Sequence, residues 1–243
     1  MKDSRNTSQA SKSPSNNDYA LVTLNKLLLM SITTDNQFWL DKWKHNKIGF
    51  HESEPHNLLT QFWSHLKISN TSKVLVPLCG KSIDMLWLKR SGHEVTGVEL
   101  SGTAISSFFE ENQIEAKIQQ RDKNNCYVGG DLTIWEADIF NLPNVELESH
   151  QIIYDRAALV AINPRQRHKY VKSLADNMSS GSYMFLIGLE YDKSLLSGPP
   201  FSLAKDDIEL LYGGSWNIKE IERQTTMVKD QPGFEVLYIL EKV

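Results

Sequence analysis

The sequence predicts an open α/β fold, and three observations carry that prediction. Lys73-Val74-Leu75-Val76-Pro77-Leu78-Cys79-Gly80 is a short apolar run that ends in a tight turn. Asp84 to Leu88 continues as an amphipathic segment, and Gly97-Val98-Glu99-Leu100-Ser101 closes a second apolar run on an acid. Strand, turn, helix and strand in that order belong to a sheet whose ligands sit at the carboxyl ends of its strands. At that end Glu99 stands where such folds hydrogen-bond both hydroxyls of a ribose, so a nucleoside-containing cofactor is the first hypothesis. The bland alternative is a plain βαβ unit with an exposed Glu99.

The turn excludes two phosphate-binding motifs. Gly80-Lys81-Ser82 matches the end of a P-loop, but that motif needs a glycine where Leu75 stands inside the strand. The dinucleotide fingerprint also fails, because Gly80 is the only glycine between Lys73 and Ser91 and no further backbone approaches a pyrophosphate. One glycine and one acid suit a nucleoside cofactor without phosphates. S-adenosylmethionine is the leading candidate.

Composition narrows the class. At 243 residues the chain fits one large domain with ample core. Its 26 basic and 30 acidic side chains argue against a broad nucleic-acid surface. Cys79 and Cys126 lack paired ligand spacing, so neither a disulfide framework nor a zinc site is expected, and a reducing, cytoplasmic compartment fits. No apolar run approaches the length of a membrane span.

Residues 1–18 are rich in Ser, Asn and Lys and are expected to be disordered. Leu21 to Met30 is greasy but split by Asn25 and Lys26, with no cleavage site after it, which argues against a signal peptide. It reads either as an amphipathic cap or as sequence upstream of an initiator at Met30. The expected division is thus a loosely packed extension over 1–34 and one domain over 35–243. Residues 36–66 then gather Phe38, Trp39, Trp43, Phe50, Phe62 and Trp63, with Trp39 and Trp43 on one helical face. They either pack against the sheet or form a lid whose rings contact adenine or a sulfonium cation. His45, His51 and His56 lie among them without a metal-ligand cluster.

Farther on, Ser82 or Asp84 is expected to cap a helix that Gly92 ends, and Ser101 to cap one carrying Ile105, Phe108 and Phe109 inward. Residues 118–138 read as a hairpin turning at Gly129-Gly130-Asp131, whose second strand, Leu132 to Trp135, reaches Asp138 and Ile139. Asp138 is a candidate for the adenine amino group or, more simply, a cap. Gln151 to Tyr154 is a fourth strand ending in Asp155-Arg156, a charged pair where such sheets place their chemistry. Arg156 is then either an anchor for a substrate anion or half of a structural ion pair.

Pro164 opens a helix with Val171, Leu174, Ala175 and Met178 on one face, and Tyr183 to Leu189 is a buried strand. Gly198-Pro199-Pro200-Phe201 is a rigid loop that either walls a substrate pocket or only connects elements. Ser202 is expected to cap the next helix. Trp216 to Glu222 and Glu235 to Glu241 read as a closing hairpin.

Laid out in this way, the chain from about Phe38 onward resembles the thiopurine S-methyltransferase family. The matching blocks are Phe38-Trp39 with Trp43, Ile48-Gly49-Phe50-His51, Pro77 to Lys81, Gly97 to Ser101, Asp155 to Pro164, Tyr191-Asp192 and Gly198 to Phe201. The resemblance implies a Rossmann-like class I methyltransferase, a soluble monomer with a seven-stranded, mostly parallel sheet, helices on both faces and a reversed last strand. It implies S-adenosyl-L-methionine as cofactor, released as S-adenosyl-L-homocysteine, with Trp39, Trp43, Leu78, Gly80, Glu99, Asp138, Ile139 and Arg156 around it. It places Phe50, Arg156, Pro199, Pro200 and Phe201 at the acceptor, with Arg156 in the catalytic role and no metal. Some relatives set a second arginine before the last strand, where Thr225 to Lys229 is read here. The implied reaction methylates an aromatic or heterocyclic thiol. The rivals are selenium or tellurium oxyanions, small thiols, a noncatalytic nucleoside binder and a nicotinamide enzyme.

Overall fold

The structure is a computed structural model that describes residues 35–142 and 149–243. The readings made for residues 1–34 lie outside the described residues. The chain divides into two units after Trp39; residues 35–39 are the described part of the first, and residues 40–243 form the second. Helix α1 covers residues 35–44, and within the first unit Phe38 and Trp39 meet edge to face at 5.1 Å.

The second unit is built on a nine-stranded sheet in the order β3-β4-β5-β2-β1-β6-β7-β9-β8. Its strands are β1 (Val74–Pro77), β2 (Val95–Glu99), β3 (Lys117–Arg121), β4 (Asn124–Val128), β5 (Leu132–Glu136), β6 (Ile152–Arg156), β7 (Tyr183–Tyr191), β8 (Trp216–Val228) and β9 (Gln231–Lys242). Strands β5, β2, β1, β6 and β7 run parallel, and β9 is reversed against β7. The expected seven strands are present, and two more extend the edge. Strands β4 and β5 form the hairpin read around Gly129 to Asp131, while β3 adds a further antiparallel strand. All five residues of β3 are exposed, so it carries none of the apolar alternation that marks a strand in a sequence. The closing hairpin is also longer than predicted. It turns at Lys229-Asp230, both with positive φ, as a two-residue hairpin turn requires.

Side chains alternate across the sheet and feed two cores. Leu75, Ile153, Met184 and Leu186 pack on one face with helices α5 (Arg167–Ala175) and α6 (Lys205–Tyr212), through Leu174, Ile208 and Tyr212. Val74, Val76, Ile152 and Phe185 pack on the other with α2 (Asn57–Phe62), α3 (Asp84–Arg90) and α4 (Gly102–Glu111), through Leu59, Met85 and Phe108. Trp63 joins this second core, where its indole N–H donates to His93 Nε2 at 3.0 Å and its ring packs on Phe185. For Trp63 the core reading therefore holds. No helix among the described residues is long and apolar enough to cross a membrane.

Two caps differ from expectation. Helix α3 starts after Ile83, which offers no side-chain cap; Ser82 Oγ accepts the Asp84 N–H at 3.2 Å, and the Asp84 carboxylate turns inward. Helix α6 starts at Lys205, and Asp207 accepts the Ala204 N–H while Ser202 bonds the Tyr191 backbone through both its N–H and its carbonyl. Ser101 caps α4 by accepting the Ala104 N–H, as predicted.

Period-two geometry separates the Asp155-Arg156 pair. Asp155 enters the α5 face, where it accepts hydrogen bonds from Leu159 N–H at 3.0 Å and Tyr170 Oη at 2.8 Å. Burial pushes its carboxyl up to about 6, although those bonds favour the ionised form. The folded state therefore keeps a proton that an unfolded Asp with the ordinary value of 3.8 releases. Ionising Asp155 weakens the fold as pH rises from about 4 to about 6, and the penalty is constant above that. Asp155→Asn cannot ionise. Its melting temperature relative to the parent should rise between pH 4 and 6 and then level off, and a difference independent of pH would refute this account.

Candidate active site

The carboxyl ends of four neighbouring strands, β5, β2, β1 and β6, bring Leu78, Gly80, Glu99, Asp138, Ile139 and Arg156 to one edge of the sheet. After β1 the backbone enters the left-handed region at Leu78 (φ 48°) and at Gly80 (φ 52°). Leu78 is the costly one, since a side chain rarely adopts that conformation, and such strain gathers at functional turns. Gly80 has a second constraint: a Cβ there would lie 2.8 Å from Trp43 Cζ2. The Trp43 indole thus covers the turn, and it meets Phe50 edge to face at 5.5 Å. For Trp43 the geometry is that of a ring laid over the turn, with Phe50 packed against it.

Glu99 ends β2 and is only 6% exposed. Its Oε2 accepts the Gly80 N–H at 2.9 Å and its Oε1 accepts the Ser101 N–H at 2.7 Å. Burial raises its pKa, and the backbone donors oppose the shift. A carboxylate offers about four acceptor positions. The Gly80 and Ser101 bonds tie the turn to α4, the Leu100 N–H also favours the ionised form, and the acceptor capacity left over is what a ribose hydroxyl can use. The fixed acceptor and the lone-glycine turn under an aromatic face fit an uncharged ribose beside a cationic sulfonium. They contain no cradle of N–H groups for phosphate.

Beyond β5, Asp138 accepts the Phe140 N–H through Oδ1 at 2.9 Å and Asn141 Nδ2 through Oδ2 at 3.1 Å. This is the capping geometry of its own turn, with Ile139 buried beside it. At the end of β6, Arg156 donates from Nε to Asp84 Oδ2 at 3.0 Å and from Nη2 to Ser82 Oγ at 3.3 Å. Burial by itself would lower the Arg156 pKa, but Asp84, then Tyr154 and Glu52, outweigh it and hold the guanidinium above its ordinary value. The ion-pair reading of Arg156 thus has its partner, and the anchoring reading keeps a guanidinium held in one plane. Burial, then the Lys81 ammonium, hold the neighbouring His51 imidazole below its ordinary value.

The proline loop is tied down on several sides. Phe201 N–H donates to Val160 O at 2.7 Å, and Tyr191 Oη donates to Pro200 O. Arg167 adds two bonds from its guanidinium to Phe201 O and Ser202 O. Gly198 sits at φ 73° with the Phe201 ring where a Cβ would be. Pro199, Pro200 and Phe201 are thus presented by a preformed loop. Among the described residues no His, Cys, Asp or Glu side chains gather to hold a metal ion.

Two residues were missed by the sequence reading. Asp84 was taken as a cap, and nothing local links it to an arginine 72 residues away. An arginine does precede the last strand: Arg223 on β8 bonds Glu220 at 2.9 Å and Glu190, at the end of β7, at 3.0 Å. It lies just before the Thr225 to Lys229 stretch, after the strand's bulge between Glu220 and Glu222.

Comparison with known proteins gives the family and the fold. Residues 34–242 match the model of the family described as Thiopurine S-methyltransferase (TPMT). The chain is similar to the thiopurine S-methyltransferase of Pseudomonas putida KT2440, with 36% identity over 81% of this chain and 90% of the relative. It is also similar to that of Pseudomonas fluorescens SBW25, with 39% identity over 76% and 85%. Among solved structures, the 1,6-didemethyltoxoflavin-N1-methyltransferase of Burkholderia thailandensis superposes with a TM-score of 0.60 at 12% identity, covering 97% of this chain and 94% of that one. The N-methyltransferase NodS of Bradyrhizobium japonicum superposes with a TM-score of 0.54 at 13% identity over 76% and 83%.

Proposed function

The chain belongs to the thiopurine S-methyltransferase family, and from that membership as an S-adenosylmethionine-dependent methyltransferase we propose that its acceptor is the sulfur of an aromatic or heterocyclic thiol. The observation that carries the proposal is the placement of Arg156, a guanidinium fixed at the end of β6, two strands from the Glu99 carboxylate at the end of β2. Heteroaromatic thiols ionise near neutrality, so a fixed cation can hold the thiolate and no strong base is needed.

Bound S-adenosylmethionine supplies an electrophilic methyl group on a sulfonium. The protein's own residues bind, align and exclude water. Glu99 accepts from the ribose hydroxyls, while Asp138 and Ile139 stand at the adenine. Trp43, Leu78 and Gly80 line the cofactor, and aromatic faces favour the sulfonium cation. Arg156 orients the acceptor anion, with Phe50 and the Pro199-Pro200-Phe201 loop packing its ring. Alignment of this kind supplies about 7–11 kcal/mol of a barrier in well-oriented systems. In the same reading the enzyme works as a cytoplasmic monomer and binds no nucleic acid, in keeping with its mildly acidic balance and its two cysteines.

The test is transfer of a radiolabelled methyl group from S-adenosylmethionine by the purified full chain. 6-Mercaptopurine, thiophenol and selenite are supplied separately. Methylated 6-mercaptopurine supports the proposal. Product from selenite alone moves the acceptor from sulfur to selenium, and cofactor binding with no transfer to any of the three overturns the thiol reading.

A further inference from the structure

Asp84 is the most completely engaged buried acid on the α3 face of the sheet. It is fully buried. Its Oδ1 accepts the His56 N–H at 2.8 Å, and its Oδ2 accepts both Tyr154 Oη at 2.9 Å and Arg156 Nε at 3.0 Å. Three elements therefore converge on one carboxylate: the segment entering α2, the first turn of α3, and β6. Tyr154 and Arg156 reach it together because residues two apart on a strand share a face. His56 is held in turn. Its Nδ1 accepts the Leu58 N–H at 3.3 Å, which leaves the ring proton on Nε2 to donate to Glu235 Oε1 at 3.2 Å.

A carboxylate buried this deeply is costly unless every acceptor position is used. A cap at the start of α3 needs only an exposed oxygen, and Ser82 Oγ already accepts the Asp84 N–H. Capping therefore does not explain the burial. Orienting a guanidinium does. Arginine's planar fork is fixed when one edge is bonded, and Asp84 with Ser82 engages Nε and Nη2 rather than Nη1.

We propose that Asp84 is a positioning residue for methyl transfer, which sets the plane of the Arg156 guanidinium so that Nη1 is presented to the acceptor anion. The proposal rests on the reading of Arg156 as the acceptor's anchor. Tyr154 assists by holding the same carboxylate oxygen, and the His56 N–H links that oxygen's carboxylate to the segment that carries Trp43 and Phe50.

The experiment is a mutant cycle on the full-length enzyme with S-adenosylmethionine and 6-mercaptopurine. Asp84→Asn should lower kcat/KM for the thiol about 100-fold, as expected when a reacting group is misplaced by about 1 Å, with a smaller change in the KM for S-adenosylmethionine. In an Arg156→Ala background the same change should cost nothing further, since the group it positions is gone. Asp84→Glu should restore part of the rate. A merely structural Asp84 would instead give losses that multiply in the double variant, and that result overturns the proposal.

If Asp84→Asn does not fold, Tyr154→Phe takes its place, with a fall in kcat/KM in the same direction; no change overturns the proposal. The Arg156 Nε–H resonance, observed with 15N-arginine, needs no acceptor. Its protection from exchange should be present in the parent and lost in Asp84→Asn or weakened in Tyr154→Phe. If 6-mercaptopurine is not a substrate while that protection behaves as expected, the thiopurine acceptor has failed, the pairing stands, and the cycle is run with whichever of thiophenol or selenite gives product. Protection that survives loss of the carboxylate overturns the positioning role outright.

Discussion

Glu99→Ala should weaken S-adenosylmethionine binding at least 100-fold. The carboxylate joins backbone donors across the Gly80 turn and the start of α4, and the proposed function gives it the ribose hydroxyls as further donors. Hydrogen bonds to a charged group are worth about 1.5–3 kcal/mol each, so losing two removes about 3 kcal/mol or more. At about 1.4 kcal/mol per tenfold, that is two orders of magnitude in affinity. The orphaned Gly80 and Ser101 N–H groups add to the loss by loosening the turn under Trp43. Because burial raises the Glu99 pKa, the parent's own affinity should begin to fall on the acid side at a higher pH than an exposed glutamate would give. Titration calorimetry measures both effects. A variant that binds within threefold of the parent would remove the ribose from Glu99.

Arg156→Ala is the second large effect, and it acts on stability as well as on rate. Its partner Asp84 is fully buried and the Arg156 side chain is 12% exposed. Deleting one member of such a pair leaves a charge without compensation in the interior, at a cost of about 3–5 kcal/mol. The urea midpoint should fall accordingly, and kcat/KM for an anionic thiol should fall with it. Arg156→Lys separates the two roles, because it keeps a cation beside Asp84 but lacks the planar fork. It should recover most of the stability and little of the rate. An Arg156→Ala enzyme as stable and as active as the parent would contradict both the ion pair and the anchor.

Much of this site can be read along the chain. The Gly80 turn and Glu99 lie within one βαβ unit, and the missing glycines exclude phosphate before any fold is known. The Gly198-Pro199-Pro200-Phe201 loop is also announced by its residues, since Gly198 needs a positive φ that other residues resist. Three features were not legible in the same way. Strand β3 is exposed along its whole length, so it exists only because β4 offers it an edge. Ser202 looked like a helix cap and is instead a clamp on Tyr191 from the neighbouring strand. Asp84 looked like a cap and is instead the partner of Arg156.

By itself, the sequence determined the βαβ grammar, the nucleoside-type turn and the acid at the second strand's end. Each of these depends on residues within a few positions of one another, where turn chemistry and side-chain alternation act directly. Only the tertiary structure decided which face each of Asp155 and Arg156 enters, and that Arg156 rather than Asp155 meets the α3 acid. That choice follows from placing β6 beside β1 in the sheet, so that the start of α3 lies over one face of β6 and α5 over the other. A buried charge takes its partner from whichever element the packing of the whole chain brings within about 3 Å.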